Sequence, residues 1–115
     1  MTKIYISYMN WEELYLLIYE DNGTLNNTYL TDIINNNNID INYKTNTGGT
    51  LLHMASRMGN IKVVRFLLNN GAIVRTTNIW GNTPCSDCCD SYNAIKANKQ
   101  NILMLLNNYN KWTKG

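Results

Sequence analysis

The sequence predicts an all-α fold, a short helical solenoid of about three stacked helix-turn-helix units, and three observations carry that prediction. The stretch Gly48-Gly49-Thr50-Leu51-Leu52-His53-Met54-Ala55 returns in form 33 residues later as Gly81-Asn82-Thr83-Pro84-Cys85-Ser86-Asp87-Cys88, and both begin with Gly-x-Thr. One period likewise separates Asn38-Ile39-Asp40-Ile41-Asn42-Tyr43-Lys44 from Gly71-Ala72-Ile73-Val74-Arg75-Thr76-Thr77. Between these junctions the apolar residues recur at helical spacing. Self-similarity at a fixed period marks a repeat architecture, in which each unit buries its apolar face against its neighbours. At 115 residues the chain has room for one domain, 1–115, divided here into units at 10–38, 39–77 and 78–110.

The first unit opens on Asn10-Trp11-Glu12-Glu13-Leu14-Tyr15-Leu16-Leu17-Ile18-Tyr19. Asn10 and Glu13 form a capping pair, and the run is long enough for one amphipathic helix. Glu12, Glu13, Glu20 and Asp21 are placed on this helix as a solvated face, with Glu12 and Glu13 at the positive end of its dipole. Thr24 to Asn36, with Leu25, Tyr29, Leu30, Ile33 and Ile34 apolar, gives a second helix. This pair has only the back half of the repeat pattern and caps the stack.

In the second unit Thr50 offers a hydroxyl to the free N–H groups of a helix that ends at Gly59. Ile61, Val63, Val64, Phe66, Leu67 and Leu68 follow on a helix that ends at Asn69-Asn70-Gly71. Gly59 and Gly71 supply left-handed exits. The second helix is apolar over much of its circumference, as a helix packed on its partner and on adjacent units must be.

The third unit starts with Thr83 as a cap and Pro84 at the first helical position, where a missing N–H costs nothing. Its second helix reads Lys99 to Tyr109, resembling the segment after Asn60 at a spacing of 38 rather than 33. About five extra residues therefore lie between Cys89 and Asn98. The Asn runs, at 35–38, 69–70 and 107–108, are assigned to helix ends, where Asn tolerates left-handed angles.

Gly49-Thr50-Leu51-Leu52-His53-Met54-Ala55, then Gly59-Asn60-Ile61-Lys62-Val63-Val64-Arg65-Phe66-Leu67-Leu68 and Gly71-Ala72, resembles an ankyrin repeat almost throughout. Leu51 in place of Pro is the departure from the family's Thr-Pro-Leu-His-x-Ala. The resemblance extends, with weaker matches, over residues 10 to 109. It implies that His53 is structural, linking neighbouring repeats through backbone hydrogen bonds. A catalytic role finds no second His and no nucleophile beside it.

Composition narrows the function classes. Ten basic and eight acidic residues, for a net charge of +2, form no dense cationic stripe, so nucleic acid is not an expected partner. No segment approaches the roughly 20 apolar residues that cross a bilayer, and Met1-Thr2-Lys3-Ile4-Tyr5-Ile6 lacks the apolar run of a signal peptide. No membrane association and a cytoplasmic location are expected. Three crowded cysteines do not suit a disulfide framework.

The rival reading from another class is a zinc- or redox-responsive protein built on Cys85, Cys88 and Cys89. A structural zinc site takes four ligands, and the sequence offers no second cluster. Cys85 falls on the offset of Leu52 and Cys88 on that of Ala55, which places both as small buried apolar residues. No cofactor, no metal and no catalytic residue are assigned, and no phosphate loop, nucleophile elbow or paired-His motif is present.

What remains is recognition. By the resemblance, inter-repeat turns and the exposed face of the first helices form a concave binding surface. The candidate partner-binding residues are Tyr43 and Lys44 on one turn, Arg75, Asn78 and Trp80 on the next, and Arg57 on a first helix. The expected function is a non-enzymatic protein-protein interaction module acting as a monomer. The Asn, Ile, Lys and Tyr bias and the short array are similar to the ankyrin-repeat proteins of large AT-rich DNA viruses such as poxviruses. That resemblance implies a host signalling protein as partner, in NF-κB or ubiquitin pathways, in the host cytoplasm.

Overall fold

The computed structural model describes residues 9–21, 24–89 and 96–112. Helices α1 (Trp11–Tyr19) and α2 (Asn27–Asn37) form the first unit, α3 (Leu51–Met58) and α4 (Ile61–Asn69) the second, and α5 (Pro84–Cys89) and α6 (Lys96–Trp112) the third. Among the described residues there is no strand. The first helices stack in a row, α1 on α3 and α3 on α5, while α4 packs on α3 and on α6, and α6 on α5.

Local chemistry sets the helix ends. Asn10 and Glu13 close a full capping box: the Glu13 N–H donates to Asn10 Oδ1 at 2.8 Å and the Asn10 N–H to Glu13 Oε1 at 2.9 Å. Thr50 and Thr83 accept from His53 N–H and Ser86 N–H, capping α3 and α5. Gly59 ends α3 in the left-handed conformation, with φ 75 and ψ 22, and Asn38 ends α2 likewise with φ 52 and ψ 44. Gly71, past the end of α4, has φ 93.

Three expectations need correction. Helix α2 starts at Asn27, not Thr24, because the Thr24 and Leu25 N–H groups are held in a turn by Asp21 Oδ1 at 2.9 and 3.1 Å, and Asn26 caps the helix. Asp21 itself lies beyond α1, half-buried and bonded, rather than on its solvated face. Asn107 and Asn108 lie inside α6, not at its end. With no Gly or Pro between 96 and 112, an Asn costs less than about 1 kcal/mol in a helix interior and does not stop it. Of the Cys89 to Asn98 stretch, where the extra residues of the third unit are expected, residues 90–95 lie outside the described residues.

The core runs through the stack. Leu14, Ile18, Leu30 and Ile33 from the first unit meet Leu51, Leu52, Met54, Ala55, Val63, Val64, Phe66, Leu67 and Leu68 from the second, with Cys88, Ile102 and Leu106 from the third. Fully burying one such aliphatic or aromatic side chain is worth about 1.5–3 kcal/mol. The middle unit supplies most of this core because it has neighbours on both sides.

Candidate partner-binding groove

The two inter-unit turns have the same build. Gly48 N–H donates to Thr45 O at 2.8 Å and Thr45 N–H to Gly49 O at 3.0 Å; Gly81 N–H donates to Asn78 O at 2.9 Å and Asn78 N–H to Asn82 O at 3.0 Å. Each bond is repeated 33 residues on, so the sequence period is a period of backbone geometry. Thr45 Oγ1 accepts from Gly49 N–H, and Asn78 Oδ1 from Asn82 N–H and Trp80 N–H. The turns are then joined to each other: Ile79 N–H donates to Thr47 O at 2.9 Å.

Gly48 makes that junction possible. Its φ is 79, and a Cβ there would stand 2.9 Å from Asn78 Cα. Only glycine meets both conditions without displacing backbone.

The row of first helices and these turns enclose a groove of about 420 Å³. Trp11, Glu12, Tyr15 and Leu16 line it from α1, His53, Met54 and Arg57 from α3, and Trp80 and Asp87 from the third unit. Leu16 is 54% exposed and Trp80 is 68% exposed, both unusually open for large apolar side chains. The ring of Trp11 stacks at a tilt on Tyr15, with centroids 5.3 Å apart, and on Tyr43, with centroids 5.0 Å apart.

Of the residues singled out from sequence, Arg57, Asn78 and Trp80 line this groove. Asn78 uses its side-chain oxygen within its own turn. Tyr43 sits beside the groove, half-exposed against Trp11. Lys44 and Arg75 are exposed and do not line it. Sequence reasoning missed Trp11, Tyr15, Leu16 and Asp87. The signal for Asp87 was present, since the 33-residue offset sets it on Met54, which faces the same groove.

His53 is a clamp. Its Nε2 lies 2.9 Å from the Asn82 carbonyl of the following unit, and its Nδ1 accepts from Thr50 N–H at 3.2 Å. Other links cross units in the same manner. Asn60 donates from Nδ2 to Asp21 Oδ2 at 2.8 Å, and Asn98 from Nδ2 to Gly59 O at 3.1 Å.

These inter-unit bonds, paired helices and a 33-residue turn period belong to one architecture. The sequence model for ankyrin repeats, in three copies, matches residues 14–114, most of the chain. The chain belongs to the ankyrin-repeat family. No match is found among curated proteins. The ankyrin assignment makes the chain a protein-protein interaction module, in a family that is typically non-enzymatic.

Within the ankyrin stack the cysteines divide. Cys88 is fully buried, as its offset requires. Cys85 is only half-buried, against expectation, because among the described residues Leu52 has units on both sides and Cys85 on one. The side chain of Cys89 lies outside the described residues. Among the described residues no group of three or more His, Cys, Asp and Glu gathers to hold a metal ion. No described helix is long and apolar enough to cross a membrane.

Proposed function

We propose that this ankyrin-repeat protein acts as a monomer by occupying a surface of one partner protein, which it holds along the groove between α1, α3 and the two turns. The observation that carries the reading is the pair of open apolar side chains, Trp80 and Leu16, that line that groove. Exposed Trp beside Tyr and Arg is the composition of binding hot spots. The Asn, Ile, Lys and Tyr bias supports a finer reading, a viral modulator that intercepts a host signalling protein of the NF-κB or ubiquitin pathways in the host cytoplasm.

The test is affinity capture from cytosolic extract with the intact chain and with a Leu16→Ser, Trp80→Ala variant, both first shown folded by circular dichroism. A partner retained by the intact chain and lost from the variant is the expected result. Equal capture by both, or by neither, overturns the groove as the docking face.

A further inference from the structure

We infer that the groove contains a subsite for a cationic side chain of the partner, an Arg or Lys, with the Asp87 carboxylate as its counter-charge and the rings of Trp11, Tyr15 and Trp80 as its walls. The inference rests on the docking role proposed above and adds the chemistry that the groove selects.

Asp87 is 7% exposed and lines the groove, and its Oδ2 is buried with no hydrogen-bond partner. A buried carboxylate oxygen without a donor is costly, so it marks a place where a donor is wanted. The repeat does not require an acid here. Met54 holds the same position in the preceding unit, and an apolar residue serves there.

The surroundings select the sign of the ligand. Glu12 adds a second carboxylate to the lining against the single guanidinium of Arg57. His53 supplies no free donor, since both ring nitrogens are engaged. Three aromatic rings border the same space, and aromatic faces attract cations. A guanidinium suits such a site best, because it stacks on a ring while its fork reaches a carboxylate. The Trp11 indole N–H is also buried without an acceptor. A protein segment that carries an Arg or Lys side chain supplies the donor that the Asp87 carboxylate lacks.

The test uses the intact ¹⁵N-labelled chain and three blocked pentapeptides, Gly-Ala-X-Ala-Gly, with X as arginine, its neutral isostere citrulline, or glutamate. The arginine peptide is expected to shift the indole N–H signals of Trp11 and Trp80 with a millimolar dissociation constant. Asp87→Asn is expected to weaken that binding about tenfold, as loss of a charge-assisted hydrogen bond does. Citrulline binding as well as arginine, glutamate binding more tightly, or no shift with any peptide at about 10 mM overturns the subsite. The citrulline comparison is made on the unaltered chain and stands even where Asp87→Asn disturbs the fold. Partner capture lost through Leu16 and Trp80, together with any of these failures, removes the cation subsite and leaves the docking face intact.

Discussion

His53 and Asn82 are joined by a hydrogen bond of 2.9 Å across 29 residues of sequence, from the imidazole Nε2 to the backbone carbonyl. A carbonyl oxygen only accepts, so Nε2 carries the proton; the Thr50 N–H only donates, so Nδ1 is bare. The same ring thus caps its own helix through Thr50 and fixes the turn of the next unit. His53 is almost fully buried, and its loss leaves the Thr50 N–H without its partner. His53→Ala is expected to lower stability by about 2–4 kcal/mol in urea denaturation, from the hydrogen bonds and the buried volume together. A cost below about 1 kcal/mol would show that the link is incidental.

Gly48 and Gly81 provide a paired comparison. Both have φ 79, but a Cβ at Gly48 meets Asn78 and Ile79 backbone, whereas at Gly81 it meets nothing within 4 Å. Gly81→Ala carries the conformational cost alone, about 1 kcal/mol, and Gly48→Ala is expected to cost about 2–3 kcal/mol. Chemical denaturation of both variants reads the difference directly. Equal costs would mean that the two turns do not press on each other in solution.

Asn60 does two things and Asn26 one. Each accepts a backbone N–H at a helix start, from Val63 and Tyr29 respectively, and Asn60 also donates to Asp21 across the unit boundary. Asn26→Ala is expected to cost about 1 kcal/mol as a lost cap, and Asn60→Ala more. A double-mutant cycle of Asn60→Ala with Asp21→Ala should give a coupling of about 0.5–1.5 kcal/mol. Additive effects would remove this bond from the account of how the first unit is held.

Thiol labelling separates the cysteines. Cys88 is fully buried and its Sγ contacts the Lys99 carbonyl at 3.9 Å, whereas Cys85 is half-buried. Brief treatment of the native chain with iodoacetamide, read by peptide mass spectrometry, is expected to modify Cys85 before Cys88. Cys88 reacts at the rate at which the stack opens. Early labelling of Cys88 would place it in an open surface and revive a redox role.

Most of the fold was legible because its signals act over a few residues. The Asn10–Glu13 box, the Thr50 and Thr83 caps and the exit at Gly59 are set by backbone groups that lie next to them in sequence. The 33-residue period then aligned one turn on the other without reference to tertiary structure. Where the reading failed, signals just as local had competed with the ones that were weighed. Asp21 redirected the chain before α2, and the lack of any breaker let α6 run through Asn107 and Asn108.

The sequence by itself determined that the chain is all-α and built of ankyrin-type repeats, and that His53 is a structural residue. Only the tertiary structure decided which side chains share the groove. It brought Trp11 and Tyr15 of the first unit and Trp80 and Asp87 of the third to the lining of one groove, and it left Lys44 and Arg75 outside. The reason is physical: a cap or a turn depends on neighbours along the chain, whereas a groove depends on how far each helix is rotated against the next. That rotation is fixed by the packing of the whole buried core, to which every unit contributes.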